Sequence, residues 1–350
     1  MVANVSMVRR ETLSDDEKVR RSRTRALKTA CRDLLQAEVR EIEYPGGRTR
    51  ESYLIHLTDG RRIIGTQRDS DSLAVNECMI LRALADGGAP VPRLLGADGK
   101  RILLQEALTG QRLSIALQTD DAEVRFCLLD NALDGLRRAQ LAACAGGIED
   151  RLTPLGTQSK WIRAFVERPA ILGEYLKIKV PRLNDKGLVR LLKPQRTSFV
   201  KWDARPGNAM VSEAGVVAWF DWEHAGLRNP LDDVAWLLAD EYVKDDVDVE
   251  ERLLARHLCT FGQGIDPAVA REYLMVYGTF HTAVRLGLIL RYRGDDWMDL
   301  ERCLTRDKVG CTLACAETLC TRAARWSMAS PLTAPLSDWY QSAARAIRRL

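Results

Sequence analysis

The residues with the clearest potential for chemistry lie in one polar turn, FVKWDARPGNAMV at 199–211. Its carboxylate, Asp203, stands between two cations, and its carboxamide, Asn208, follows after a Pro-Gly pair. Apolar residues on both sides suit buried strands, and near a core such polar groups are costly unless they have partners. The turn is therefore either a hydrogen-bonded structural element or a site that is held open.

A second carboxylate follows the turn in the segment GVVAWFDWEHAG, which places Asp221 at the end of another apolar strand. Two strands that enter and leave a polar turn would bring Asp203, Asn208 and Asp221 to one end of a small sheet. Mg²⁺ prefers hard oxygen ligands, usually one or two protein groups with phosphate oxygens and water. Asn208 and Asp221 can supply those ligands, and Asp203 remains free to accept a proton from an attacking hydroxyl.

A glycine pair, Gly46 and Gly47, occupies a turn between the first two strand-like runs, in YPGGRTRESY. Such a turn lets backbone N–H groups approach phosphate oxygens. Most Gly-Gly hairpins are only turns, so this segment alone leaves both interpretations open.

The surrounding elements predict an α+β chain with two lobes. Residues 1–39 contain a tail and a helix. Between 40 and 110 apolar and polar residues tend to alternate, as they do in strands. Three strand-like runs there precede one helix and two further extended segments. The segment 111–350 is mostly helical, apart from a strand-rich island at 198–222. We expect a small antiparallel β-rich N-lobe, a larger α-helical C-lobe and a deep cleft between them.

Composition excludes several classes of protein. The chain has 350 residues, 46% hydrophobic and 29% charged, as in soluble globular proteins. A net charge of +4 is too small to make nucleic acid the main partner. The N-terminus has no signal-peptide core, and we expect no apolar run long enough for a membrane span. Nine scattered cysteines indicate reduced thiols in the cytoplasm, and Cys311, Cys315 and Cys320 lack zinc-site spacing.

Three segments together resemble a known family. Residues 201–208 are KWDARPGN, residues 220–223 are FDWE, and residues 226–235 are GLRNPLDDVA. The typical small-molecule kinase pattern is His-Gly-Asp-x-His-Pro-Gly-Asn, then Ile-Asp-Trp-Glu, then Gly-x-x-x-Asp-Pro-Leu-x-Asp-Leu-Ala. From about Tyr44 to beyond Ala235 the chain therefore resembles the aminoglycoside phosphotransferase/choline kinase family, which has a bilobal protein-kinase-like fold.

The resemblance implies an ATP- and Mg²⁺-dependent phosphotransferase that transfers the γ-phosphate of ATP to a hydroxyl of a small molecule. It makes Asp203 the catalytic base and gives Arg205 the role of steadying the transferring phosphate. It also implies that Asn208 and Asp221 hold Mg²⁺ and that Asp233 braces the catalytic loop. The residues it implies for nucleotide binding are Gly46, Gly47, Arg68, Glu77, Gln105, Glu106 and Ala107.

The chain departs from the family pattern at three places. Lys201 replaces the His before the base, Trp202 replaces the following Gly, and the third strand, RRIIGTQR, has no Lys. Gln67 falls at the lysine position if Gly65 matches the usual small residue, and Arg68 is the neighbouring cation that could substitute. Arg is not a simple replacement for Lys. These departures leave an alternative, a pseudokinase that binds nucleotide or acts as a scaffold without transferring phosphate.

The phosphate acceptor is predicted to be a small molecule. Only a short segment separates Asp221 from the helix that begins near Leu231, which leaves little room for a peptide-docking platform. The helical segments 112–195 and 250–350 are then available to form an acceptor pocket. An acidic stretch, DDVAWLLADEYVKDDVDVEE, indicates either a cationic acceptor or a solvated acidic surface. The motifs do not choose among sugars, amino alcohols and homoserine.

Overall fold

The computed structural model describes residues 15–44, 51–306 and 309–350, so that Gly46 and Gly47 lie outside the described residues. The chain divides into two compact units. The first comprises Met1–Val75 and Leu95–Ala107, and the second comprises Asn76–Leu94 and Leu108–Leu350. The division falls within the helix after the third strand, in addition to the expected change near Gly110.

The first unit is one helix on an antiparallel sheet. Its elements are α1 (Asp15–Leu35), β1 (Val39–Glu43), β2 (Ser52–Leu57), β3 (Arg62–Gln67), the start of α2 (Asp71–Asp86), β4 (Leu94–Ala97) and β5 (Ile102–Glu106). The strand order is β1-β2-β3-β5-β4. The five predicted strands are confirmed, and β1/β2, β2/β3 and β3/β5 pair antiparallel.

Close packing under α1 determines which way the side chains of β3 point. A Cβ atom at Gly65 would lie 2.6 Å from Cδ1 of Ile55 and 2.9 Å from Cδ2 of Leu27, a residue of α1. Gly65 therefore faces α1, and the period of two places Gln67 on the same face. Arg68 follows β3, and its backbone N–H continues the ladder to the carbonyl of Arg101 at 2.9 Å.

The second unit is mainly helical and contains two small sheets. Its remaining elements are β6 (Gln111–Arg112), α3 (Leu113–Ala116), α4 (Ala122–Ala145), α5 (Ser159–Val166), α6 (Arg168–Leu176), α7 (Asp185–Leu192), β7 (Ser198–Val200), β8 (Ala209–Val211), β9 (Val217–Trp219), β10 (Gly226–Arg228), α8 (Leu231–Leu238), α9 (Val247–Gly262), α10 (Pro267–Tyr292), α11 (Leu300–Thr305), α12 (Leu313–Ser327) and α13 (Leu336–Ile347). One sheet has the order β6-β8-β9, and β7 pairs with β10.

These two sheets position the polar turn. In the β8/β9 register Ala209 lies opposite Trp219, and the ladder is continued by a hydrogen bond of 3.0 Å from the N–H of Phe220 to the carbonyl of Asn208. Asn208 is thereby fixed beside the residue that precedes Asp221. Antiparallel pairing of β7 with β10 holds the chain that enters the turn.

Helix α10 corrects one expectation from the sequence. Among the described residues it is the one helix long and apolar enough to cross a membrane by length and composition. However, 83% of its most apolar window is buried inside the protein. Such burial is the property of a core helix, which passes the same test of length and composition.

Candidate active site

Asp203 lies in the loop between β7 and β8, with partners on both carboxylate oxygens. Its Oδ2 accepts a hydrogen bond of 2.7 Å from Nδ2 of Asn208, and its Oδ1 lies 3.7 Å from Nε of Arg205. The Asp203 side chain is 22% exposed, so it is fixed in direction and still accessible to a ligand. A fixed, accessible carboxylate is the arrangement that a general base requires.

Asn208 ends a short 3₁₀ turn, Pro206–Asn208, and is oriented through its amide nitrogen. Nδ2 donates to the carboxylate of Asp203 and also to the Asp203 main-chain carbonyl, at 3.1 Å. Because both amide hydrogens point to Asp203, the carbonyl oxygen Oδ1 is the atom left to act as a ligand. Nη1 of Arg112 supports the turn from outside through a 3.1 Å hydrogen bond to the carbonyl of Gly207.

Asp221 follows β9 in a left-handed backbone conformation, with φ of 62°. Such a φ is uncommon for a residue other than glycine, and the surrounding structure must hold it. Two contacts do so. The Nζ of Lys201 donates to the carbonyl of Asp221, and the N–H of Trp222 donates to Oε1 of Glu77 at 3.2 Å. Glu77, on α2, is fully buried and thus stabilises the chain beside Asp221.

The pair of oxygen donors fits Mg²⁺ better than a metal with a complete protein cage. Oδ1 of Asn208 and the Asp221 carboxylate are hard ligands, and Mg²⁺ usually takes its other ligands from phosphate and water. Within the described ranges no group of three or more His, Cys, Asp or Glu side chains could hold a metal ion. Asn208 and Asp221 therefore offer oxygen donors of the kind that Mg²⁺ prefers.

Lys201 is a site residue whose role the sequence did not reveal. It is fully buried, and its Nζ lies 5.1 Å from the centroid of the Trp222 ring in addition to its bond to the Asp221 carbonyl. Burial lowers the pKa of the Lys201 ammonium, and nearby carboxylates oppose that shift, those of Asp203, Asp221, Asp233 and Glu77. The only sequence signal was the replacement of the family His by Lys, within the apolar run FVKW.

Asp233, near the start of α8, braces the catalytic loop as expected. Its Oδ2 accepts the N–H of Lys201 at 2.8 Å, and its Oδ1 accepts the N–H of Trp202 at 2.9 Å. Trp202 has φ of 54°, so one carboxylate holds two successive N–H groups at a left-handed bend. Burial raises the pKa of Asp233 to about 7, against the opposing effect of these two hydrogen bonds.

The other residues assigned to nucleotide binding lie in the first unit. Arg68 is 4% exposed, and its Nη1 lies 3.6 Å from Oε2 of Glu51. Gln105 on β5 pairs with Ile64 of β3. Glu106 ends β5, and Ala107 follows it. Glu51 also lies 3.9 Å from Arg23 of α1, so the guanidinium of Arg68 is held in an ion-pair cluster with that helix.

Several carboxylates of the acidic stretch after Leu231 are paired inside the protein, whereas Asp248 and Glu251 are exposed, so that only part of the stretch is a solvated surface. Glu241 receives two hydrogen bonds from Arg285, of 2.8 and 2.5 Å, and both residues are buried. Asp232 pairs with Arg228 and accepts the Tyr273 hydroxyl at 2.6 Å. Arg325 binds Glu250 and Asp245 in the same way. These carboxylates are used within the fold.

Comparison with solved structures gives the same architecture. A Ralstonia eutropha protein provisionally assigned as an aminoglycoside phosphotransferase has a TM-score of 0.56 and 16% identity, over 87% of this chain and 98% of that chain. The F108L mutant of aminoglycoside 2'-phosphotransferase-IIIa, solved with GDP, has a TM-score of 0.54 and 16% identity, over 82% and 96%. Spectinomycin phosphotransferase APH(9)-Ia, solved with AMP, has a TM-score of 0.50 and 13% identity, over 77% and 90%. At these identities the likeness shows the fold.

No curated protein matched the chain. The sequence model of the phosphotransferase enzyme family matches residues 38–273, which is more than half of the chain and contains the catalytic loop, Asp221 and Asp233. The family and the kinase-like fold predicted from the sequence are thereby confirmed. The chain belongs to the phosphotransferase enzyme family.

Proposed function

We propose that this phosphotransferase is an ATP- and Mg²⁺-dependent kinase that acts on a hydroxyl of a small molecule. The observation that supports the proposal is the hydrogen bond from Asn208 to Asp203, which orients the carboxylate, together with the backbone hydrogen bond that fixes Asn208 beside the residue preceding Asp221. The acceptor oxygen attacks the γ-phosphorus, and the bond from that phosphorus to the β,γ-bridging oxygen breaks. ADP leaves, and Asp203 takes the proton of the acceptor hydroxyl.

The remaining roles follow from charge and position. Arg205, beside Asp203, steadies the transferring phosphate. Oδ1 of Asn208 and the carboxylate of Asp221 hold Mg²⁺, which when bound neutralises charge on the phosphate oxygens. Lys201 and Glu77 fix the backbone of Asp221, and Asp233 fixes the loop that carries the base.

On the nucleotide side, Arg68 replaces the missing lysine, and Gln105, Glu106 and Ala107 offer backbone groups to the base. A role of Gly46 and Gly47 in phosphate binding, outside the described residues, stays a prediction from the sequence. The GDP and AMP held by two structural relatives support a nucleotide site of this kind. All nine cysteines are free thiols, which supports the cytoplasm as the compartment.

The decisive experiment measures ADP release with ATP and Mg²⁺ across a panel of small hydroxyl and amine compounds. Asp203→Asn keeps the size of the side chain and removes the base, so turnover should fall by roughly a hundredfold or more. Nucleotide binding, followed as a rise in melting temperature with ATP and Mg²⁺, should be retained. Asp296→Asn, at an exposed carboxylate, serves as the matched control.

Two results would contradict the proposal. Equal turnover in Asp203→Asn and in the wild type would remove Asp203 from the mechanism. Nucleotide-dependent stabilisation without ADP release for any acceptor in the panel would favour the pseudokinase alternative.

A further inference from the structure

Three tryptophans, linked by a ring contact or through Tyr277, lie at or near the catalytic loop, and we call them the tryptophan wall: Trp161, Trp202 and Trp236. The ring centroids of Trp161 and Trp202 are 5.7 Å apart. The hydroxyl of Tyr277 accepts the indole N–H of Trp202 at 3.4 Å and that of Trp236 at 3.2 Å. All three indoles are half-buried, whereas Tyr277 is buried. Two of the three indole N–H groups are therefore used within the protein.

The wall adjoins the proposed base. Trp202 immediately precedes Asp203 in the chain, and the ring of Trp236 packs against that of His281 of α10 at a centroid distance of 4.1 Å and a tilt of 46°. Burial, together with the charges of Arg285 and Arg205, lowers the pKa of His281 to about 3, so this imidazole is neutral near pH 7. A molecule whose hydroxyl reaches Asp203 would therefore lie close to Trp202, the preceding residue in the chain.

Two buried carboxylates near the wall are already paired and are not available to a cationic molecule, whereas the Asp203 carboxylate is partly exposed. The carboxylates of Glu241 and Asp232 are paired with Arg285 and Arg228, as described above. The guanidinium of Arg228 lies 4.6 Å from the ring centroid of Trp161 and 5.8 Å from that of Trp202. The protein's own cation thus already uses the attraction that these rings would offer to a substrate ammonium.

We propose that the phosphate acceptor is an uncharged alcohol with a flat, carbon-rich face, which packs on the tryptophan wall while its hydroxyl meets Asp203. This inference rests on the proposed kinase activity and specifies the chemistry of its substrate. Recognition uses contact with aromatic carbon and desolvation, in place of ion pairs to amino groups. It applies to glycosides and aromatic alcohols and excludes acceptors that are held by several ammonium groups.

The test compares matched probes that differ by one amine, on the full-length wild-type protein with ATP and Mg²⁺. The pair is 4-nitrophenyl β-glucoside and its 2-amino-2-deoxy analogue, and benzyl alcohol and choline extend the neutral and cationic sides. Binding is measured by calorimetry, and phosphate transfer by mass spectrometry. We expect the neutral member of the pair to bind roughly tenfold more tightly than the amine.

Substitutions of single tryptophans test whether the neutral probe binds at the tryptophan wall. Trp236→Leu should weaken the neutral probe by roughly tenfold, as expected for the loss of aromatic packing and contact area. Trp297→Leu is the matched control because it removes a half-buried tryptophan that packs on Arg293, 4.9 Å from the ring centroid, outside the wall. Unchanged melting temperatures establish that both variants fold, and Trp161→Leu replaces Trp236→Leu if that variant does not.

The outcomes separate this inference from the function on which it rests. Tighter binding of the amine or of choline, equal losses in Trp236→Leu and Trp297→Leu, or no binding of any neutral probe would overturn it. If phosphate is transferred only to ammonium compounds, the acceptor inference fails and the kinase activity stands. If neutral probes bind in a tryptophan-dependent manner and no phosphate is ever transferred, the proposed activity is what fails.

Discussion

The sheet of the first unit and the catalytic loop of the second unit both depart from the family pattern, in opposite ways. The third strand has no lysine, and the neighbouring cation is Arg68, which pairs with Glu51. The catalytic loop has an additional lysine, Lys201, which is buried and donates to the backbone of Asp221. In the loop, the unusual residue makes a defined hydrogen bond. In the sheet, the residue that would contact phosphate is a prediction to be tested.

The largest effect is expected from replacing Lys201, the additional lysine of the catalytic loop. Lys201→Met removes the donor to the Asp221 carbonyl and the one buried ammonium among the surrounding carboxylates. Loss of one partner from such a buried cluster should lower the free energy of unfolding by about 3 kcal/mol. Urea unfolding measures this loss, and titration with Mg²⁺ should show weaker metal binding because Asp221 is no longer fixed. Lys201→His, which restores the family residue, should recover part of both; no difference between the Met and His variants would contradict the role.

Asp233→Asn tests the brace of the same loop. An amide offers one acceptor where the carboxylate offers two, so the N–H of either Lys201 or Trp202 loses its partner. The free energy of unfolding should fall by roughly 1–3 kcal/mol, and turnover should fall while ATP binding is retained. Urea unfolding and ADP release measure the two effects, and Asp338→Asn on the exposed face of α13 is the control. Equal turnover in both variants would show that the brace does not position the base.

Arg68 tests the nucleotide half of the comparison. Arg68→Ala should weaken ATP binding by about tenfold, whereas Gln67→Ala should leave it unchanged because Gln67 faces α1. Calorimetry with ATP and Mg²⁺ measures both. Glu51→Gln breaks the ion pair to Arg68 and keeps the cation, so it separates a loss of fold from a loss of phosphate contact. Unchanged affinity in Arg68→Ala would remove Arg68 as the replacement for the lysine.

Local patterns in the sequence were sufficient for the sheet and for the polar turn. Alternating apolar residues predicted the strands of the first unit, because one face of that sheet is covered by α1. Asp203 and Asn208 are close in sequence, and a Pro-Gly turn between two strands fixes their separation. Asp221 was predicted to lie near Asp203 and Asn208 because the apolar residues of β8 and β9 indicated two neighbouring strands. The geometry of these three residues therefore depended on short-range information.

Contacts between distant segments could not be predicted from the sequence. The buried part of the acidic stretch was misinterpreted because its partners, Arg285 and Arg325, come from α10 and α12, far along the chain. Lys201 was recognised as a departure, yet its acceptor is a backbone carbonyl, which carries no sequence signal. The apolar character of α10 was missed because polar residues such as His281 interrupt it, and their burial depends on tertiary packing.

The last prediction concerns the pH dependence of the free energy of unfolding that arises from His281, whose ring packs against that of Trp236. Its pKa in the folded protein is lowered from 6.5 to about 3, chiefly by burial. Between these values the unfolded chain binds a proton that the folded protein does not, so stability falls as the pH falls.

His281→Phe keeps an aromatic ring against Trp236 and removes this proton. The free energies of unfolding of the wild type and the variant should agree above pH 7. Below pH 6 that of the wild type should fall by up to about 1.4 kcal/mol more per pH unit. Asp233, whose raised pKa acts in the opposite direction, is present in both proteins and cancels in the difference. Urea unfolding at pH 7.5, 6.5, 5.5 and 4.5 measures the difference in free energy of unfolding. An equal pH dependence of the two proteins would mean that His281 becomes protonated in the folded protein as readily as in the unfolded chain.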